Sequence, residues 1–167
     1  DLHLSLRRQR QMCIRDRHIN FEKSFEMTPK ETAQKAAALM WENDNCSRWT
    51  GLKLKDIDEG QAVLSLEVQE QHTNGHGTCH GGIIFILADS AFGFACNTRN
   101  QKAVAQHNAI TYIKPANLGD VLEAHAREIS LNGRSGIYDV TVLDQNQELI
   151  AEFRGCSRAV NRQVFDT

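Results

Sequence analysis

Asp89 lies inside the run Ile83-Ile84-Phe85-Ile86-Leu87-Ala88-Asp89-Ser90-Ala91-Phe92-Gly93-Phe94-Ala95-Cys96, where its neighbours are apolar or small. An ionised carboxylate in such surroundings is costly unless something compensates it. No Arg or Lys lies within a helical turn to do so, and Asp is a poor helix former in its own right. Burial also lifts a carboxyl pKa toward the range in which it can take a proton at neutral pH. The residue therefore has the character of a general base or a nucleophile. Just before the run stands Cys79-His80-Gly81-Gly82. If a helix opens there, its first N–H groups lack intrahelical acceptors and the positive end of its dipole faces outward. Such amides can hold a carbonyl oxygen as it gains charge, and glycine lets a substrate approach the backbone. Gly82 and Asp89 share a helix face but stand about 10 Å apart along the axis, too far for one carbonyl to meet both. Two such helices packed antiparallel would bring the tip of one to the acid of the other. The spacing thus predicts a site shared across a homodimer.

The surrounding elements must position these groups. Thr28-Pro29-Lys30-Glu31 supplies an N-cap hydroxyl, a proline at the first helical position and an acid at the third. Ala33, Ala36, Ala37, Met40 and Trp41 then recur at helical spacing, with an end expected near Asn43 to Asn45. Residues Thr50 to Ile57 and Gln61 to Val68 alternate about Asp58-Glu59-Gly60, as a β-hairpin does. Gln71 to Gly82 is a polar, glycine-rich loop feeding the apolar run, which reads as a helix buried on all sides. Strands follow at about Ala103–Ile113, Val121–Ser130, Gly136–Leu143 and Leu149–Val160, separated by short turn sequences. Connections that short pair strands antiparallel. The expected class is α+β, with one antiparallel sheet wrapped around a long central helix, because nothing else in the chain can cover that helix.

Composition narrows the function. A chain of 167 residues fits one domain, and a formal charge of −2 argues against a nucleic-acid partner gripped by a broad basic face. No apolar run reaches the roughly 18–20 residues of a membrane span, so no membrane partner is expected. Five cysteines without any CxxC pair suit free thiols in a reducing cytoplasm. Residues 1–27, rich in arginine at their start, read as a disordered or non-native extension, 28–163 as the folded domain and 164–167 as a C-terminal tail.

Other chemistries compete for the same residues. His72, His76 and His80 with Cys79 could suggest a metal site, but the intervening glycines oppose the helix that would align them, and no metal or other cofactor is expected. A Cys79–His80 nucleophilic pair is disfavoured because adjacent residues seldom face one substrate, which leaves Cys79 a small buried thiol. Tyr112, Tyr138 and Phe153 are assigned to the sheet core or its interface.

The run Asn74-Gly75-His76-x-x-Cys79-His80-Gly81-Gly82-x-x-Phe85-x-Leu87-Ala88-Asp89 resembles the signature of the phenylacetic acid degradation (PaaI-type) thioesterases of the hotdog fold. Supporting matches lie at Phe92, Ala95-Cys96-Asn97, Lys114-Pro115…Gly119-Asp120, Gly136-x-Tyr138-Asp139-Val140 and Phe153-Arg154-Gly155. The resemblance runs from about Ala36 to Val160. It implies hydrolysis of acyl-CoA thioesters, aryl-acetyl or hydroxylated aryl-acetyl ones by family likeness, in a homotetramer of two dimers. It also implies that Asp89 is nucleophile or general base and that the Gly81 N–H polarises the carbonyl. Asn74 would orient the attacking water or the carbonyl, and His80 would line the pocket and fix its loop. Substrate would further meet Gly82, the phosphates of coenzyme A would meet Lys114, and the hairpin Asn132-Gly133-Arg134 offers a second phosphate contact. Lys114-Pro115-Ala116 stands where many relatives carry Arg-Pro-Gly, which keeps the charge but loses the fork geometry of guanidinium. A hotdog hydratase or dehydratase, or a non-catalytic acyl-CoA-binding protein, are the alternative readings.

Overall fold

The computed structural model of the chain describes residues 26–166, so the expectation for the basic N-terminal extension falls almost entirely outside the described residues. Helix α1 spans Pro29–Asn43. Its start carries the reciprocal cap anticipated from the sequence: the Glu31 N–H donates to Thr28 Oγ1 at 3.2 Å and the Thr28 N–H to Glu31 Oε2 at 2.7 Å. Ala33, Ala36 and Ala37 form its buried face. The chain does not pass directly into a strand, as expected, but adds a short helix α2, Asn45–Thr50. Asp44 caps it by accepting from the Ser47 N–H at 2.9 Å, and Gly51, at φ 78°, closes it in the left-handed region. The first strand therefore starts at Lys53, three residues later than the alternation suggested.

Six strands follow the expected order: β1 (Lys53–Asp58), β2 (Gln61–Glu67), β3 (Gln101–Tyr112), β4 (Val121–Asn132), β5 (Ser135–Leu143) and β6 (Leu149–Gln163). All pairs are antiparallel, in the order β1-β2-β4-β5-β6-β3. Between β2 and β3 the chain runs as helix α3, Gly81–Cys96, and so passes from one side of the sheet to the far edge. Leu64, Leu66, Leu122, Val140, Val142 and Phe153 on the sheet close over Ile84, Leu87, Ala88, Ala91, Phe92 and Ala95 on α3. The helix packs chiefly on β2, β4 and β5. One close approach sets the spacing of these layers. A Cβ on Gly155 of β6 would lie 2.8 Å from the Phe92 ring, so only glycine allows the sheet this near the helix. Phe92 also meets Tyr138 edge-on, with centroids 5.6 Å apart.

One feature departs from the sequence reading. The central helix is not covered on all sides: Gly82, Phe85, Ile86, Asp89, Ser90, Gly93 and Cys96 form a half-exposed stripe along one face. Val164 and Phe165 of the C-terminal segment are held against the fold. Asn100 accepts from the N–H groups of Val164 and Phe165 and donates to the Phe165 carbonyl, while Lys35 of α1 sits 4.2 Å above the Phe165 ring.

Candidate active site

The loop that delivers the tip of α3 is built by its own hydrogen bonds. Thr73 pairs with Cys79, the Asn74 N–H donates to the Thr78 carbonyl at 2.8 Å, and the His80 N–H donates to the His72 carbonyl at 2.8 Å. A further bond, from the Cys79 N–H to the Ala116 carbonyl at 2.8 Å, ties this loop to the turn between β3 and β4. Asn74 sits at the centre: its Oδ1 accepts from the His76 N–H at 2.8 Å and the Thr78 N–H at 3.3 Å, and its Nδ2 donates to Thr78 Oγ1 at 3.1 Å. The carboxamide is thus largely spent on shaping the loop. Any contact to substrate falls to its second Nδ2 proton.

At the tip, the three opening amides of α3 have different fates. The Gly82 N–H donates to His80 Nδ1 at 2.9 Å, which makes His80 the N-cap. The Ile83 N–H donates to the His80 carbonyl at 2.9 Å. The Gly81 N–H has no acceptor among the described residues. Of the two glycines assigned to the site from sequence, Gly81 alone therefore offers a free backbone donor, and Gly82 is taken. Because His80 Nδ1 accepts, the neutral ring carries its proton on Nε2 and presents it outward from an exposed position.

Tyr112 closes the side of this tip. Its hydroxyl donates to the Gly81 carbonyl at 2.8 Å, and a Cβ on Gly81 would lie 3.1 Å from the phenol ring. Sequence reasoning placed Tyr112 in the core or interface, yet it is 48% exposed in the single chain and stands beside the helix tip. Nothing in its local sequence distinguishes it from an ordinary strand aromatic. A groove of about 290 Å³ runs here, walled by Cys79, Gly81, Ile84, Tyr112, Lys114 and neighbours. Burial, then the nearby Asp120 charge, push the Cys79 thiol up to about 11, so at neutral pH it is protonated and no nucleophile. His72 is buried with its Nδ1 accepting from the Gln69 N–H at 3.1 Å, and among the described residues no three ligating side chains gather as a metal site would need.

Asp89 lies outside that groove, on the half-exposed stripe of α3. Eight residues separate it from Gly81, about 12 Å of helix rise. Burial raises its carboxyl above the ordinary 3.8, and a hydrogen bond from Asn108 Nδ2 to Oδ1, at 2.7 Å, works in the opposite direction. The residues chosen for phosphate do not converge within one chain. Lys114 lies beside the helix tip, with its ammonium on the Glu148 carboxylate. Asn132, Gly133 and Arg134 form the exposed β4–β5 turn, which the Arg134 carbonyl fastens to the Ala159 N–H. Strand register puts that turn at the opposite end of the sheet, roughly 30 Å from Lys114 at 3.3 Å per residue, because Arg134 is level with Ala159 and Lys114 with Ile150 on β6.

Comparison with known proteins agrees with this architecture. Residues 76–151 match the Thioesterase superfamily. The chain is 40% identical over 128 residues to acyl-coenzyme A thioesterase PaaI of Escherichia coli, covering 77% of this chain and 91% of that protein. A putative esterase of Archaeoglobus fulgidus is 34% identical over 87% of this chain and 96% of its own. Among solved structures, PaaI from the phenylacetic acid degradation operon of E. coli superposes with a TM-score of 0.80 at 38% identity, over 81% of this chain and 99% of that one. The smu.793 protein of Streptococcus mutans bound to acetyl CoA superposes with a TM-score of 0.65 at 26% identity, over 67% of this chain and 90% of that one. With its six-stranded antiparallel sheet, its central helix and these relatives, the chain belongs to the thioesterase superfamily of hotdog-fold proteins, in its PaaI-type branch.

Proposed function

We propose that this protein hydrolyses acyl-CoA thioesters to the free acid and coenzyme A, with aryl-acetyl or hydroxylated aryl-acetyl groups as its preferred acyl chains. The observation that carries the reading is the unengaged Gly81 N–H at the tip of a helix whose stripe also carries a half-buried acid, Asp89. A developing oxyanion needs the first group and attack on the carbonyl needs the second. Asp89 acts as general base or nucleophile, the Gly81 amide polarises the carbonyl, and His80 offers its outward Nε2–H at the same mouth. Asn74 contributes chiefly by holding the loop that delivers both.

The two groups are about 12 Å apart on one helix, so the reaction takes place between copies of the chain. In a homodimer the half-exposed stripe of α3 packs against its counterpart, and the tip of one helix reaches Asp89 of the other. That packing also places the Lys114 region of one copy and the Asn132-Gly133-Arg134 turn of the other on the same site, which gives both candidate phosphate contacts a role. Edge strand β3, with Val104 53% exposed, offers a second surface for pairing, and by family likeness two dimers form a tetramer. Phe85 and Ile86, about one turn before Asp89 on the stripe, supply an apolar wall that suits an aromatic acyl group. The free thiols of Cys46, Cys79, Cys96 and Cys156 suit the cytoplasm, and no helix among the described residues is long and apolar enough to cross a membrane.

A panel of aromatic and aliphatic acyl-CoA substrates, followed by release of free thiol, tests the assignment. Highest kcat/KM is expected with aryl-acetyl groups. Hydration of enoyl-CoA without thiol release from any substrate would replace it with the hydratase reading, and binding without turnover would leave only an acyl-CoA-binding protein.

A further inference from the structure

We propose that Asn108 is the positioning residue for the hydrolytic water, holding that water against Asp89 and fixing the orientation of the carboxylate that receives its proton. The inference rests on Asp89 being the reacting carboxylate. It adds a residue to the machinery and chooses between the two roles open to that acid.

Three observations meet at Asn108. It lies on β3, which returns antiparallel to α3, so the strand passes the helix from its C-terminal end toward its tip. Eight helical residues from Asp89 back to Gly81 rise about 12 Å, and four strand residues from Asn108 to Tyr112 advance about 13 Å. The two elements therefore stay in step, with Asn108 against the acid and Tyr112 against the tip. Second, Asn108 Nδ2 donates to Asp89 Oδ1 at 2.7 Å, leaving Oδ2 as the carboxylate oxygen available for chemistry. Third, Asn108 Oδ1 is buried and has no hydrogen-bond partner among the described residues. A buried carbonyl oxygen without a donor is unfavourable unless a water or ligand completes it.

One water satisfies all of this. It donates one hydrogen to Asp89 Oδ2 and the other to Asn108 Oδ1, which turns an oxygen lone pair toward the thioester. On attack the water O–H bond to Asp89 breaks and its oxygen bonds to the acyl carbon. The carbonyl electron pair moves onto the oxygen held by the Gly81 N–H of the neighbouring copy. Collapse breaks the C–S bond, and the departing sulfur takes the proton from Asp89, which returns to its starting state. No oxidant or further reactant is needed.

Within one chain the ionisable surroundings of Asp89 are sparse, and in the proposed dimer the facing helix tip adds His80, Tyr112 and the Glu148-paired Lys114. On its own helix only Cys96 titrates, and burial drives that thiol to about 12, so it is neutral through the working range. From the sheet, Tyr138 of β5 is pushed higher still, and Glu128 of β4 is held by Arg99 and by the Tyr138 hydroxyl. On β3 itself Lys102 and His107 are exposed, and on β6 the Arg154 guanidinium is bound to Asp139. The donor that favours ionised Asp89 is therefore Asn108.

The test is the pH profile of kcat in Asn108→Leu and Asn108→Asp, with Asp89→Asn beside them. Asn108→Leu removes donor and acceptor at similar volume. It should lower kcat about 10- to 100-fold with KM within about threefold, and move the acid limb to higher pH. Asn108→Asp keeps an acceptor but sets a second carboxylate against the first, so its acid limb should move up further. A side chain that merely fills space would leave the limb in place. Wild-type kcat and an unmoved limb in Asn108→Leu overturn the proposal. If that variant does not fold, an unmoved limb in Asn108→Asp overturns it equally. Full turnover in Asp89→Asn would instead remove the underlying assignment of Asp89, whereas a dead Asp89→Asn beside an unaffected Asn108→Leu removes Asn108 alone.

Discussion

At its tip α3 is rich in glycine, and its order comes from a loop that hydrogen-bonds to itself. Eight residues later, at Asp89, the same helix is half-buried and its order comes from layer packing. The tip offers backbone amides, which a side-chain replacement alters only by intruding. The acid offers one carboxylate, whose charge a single atom exchange abolishes. In the proposed reaction the tip supplies a donor for the carbonyl and Asp89 the proton acceptor. A developing oxyanion needs a preformed dipole, whereas a base needs its pKa lifted. In the proposed reading neither half is sufficient in one copy of the chain.

The largest expected effect breaks the acid half. Asp89→Asn should lower kcat by about a thousandfold while the protein stays folded. Burial raises the folded pKa of Asp89 above 3.8, so ionising it opposes folding. That opposition is absent below the unfolded pKa, grows as pH rises and is fully present above the folded pKa. Removing the charge should therefore leave the melting temperature at pH 7 unchanged or higher, and a fall would assign Asp89 a structural role. Activity has the mirror dependence: kcat should fall as pH drops through that raised pKa.

A smaller loss should follow at the tip. Gly81→Ala brings a methyl to 3.1 Å from Tyr112, which must shift, and about a tenfold to hundredfold fall in kcat is expected. Mixing the two variants sharpens the comparison most directly. In a mixed dimer one site inherits both intact halves, so denaturing and refolding Asp89→Asn with Gly81→Ala should recover roughly a quarter of wild-type turnover. No recovery would mean that both halves of each site come from one chain. Further from the chemistry, Lys114→Ala should raise KM for acyl-CoA only severalfold, because that ammonium is already shared with Glu148. Deleting residues 1–18 should change neither kcat nor KM.

What could be read from the residues alone followed periodicity. The α1 cap, the long central helix and all six strands were legible because apolar spacing and turn residues act locally. Asp89 stood out because a charge in an apolar run violates that pattern. Asn108 did not, because one polar residue in an alternating strand looks ordinary, and its meaning depends on a helix nineteen positions away in sequence. Helix α2 was hidden for a local reason: Asp44 ends one helix and caps the next, so one residue carries both a stop and a start. The fate of the Gly82 amide was not legible, because composition cannot tell which amide an N-cap histidine will occupy. Lys114 and Arg134 resembled a pair until strand register set them at opposite ends of the sheet.

The missing side chain at Gly155 acts on the site without touching it. Gly155 sits opposite Asn108 in the β3–β6 ladder, and Phe92 rests on its bare backbone. A carboxamide reaches only a few ångströms, so the gap between sheet and helix at this level is a tolerance. An alanine at 155 would act as a shim. It would prise the strand away from the helix and part Asn108 from the acid, leaving both side chains present and out of each other's reach.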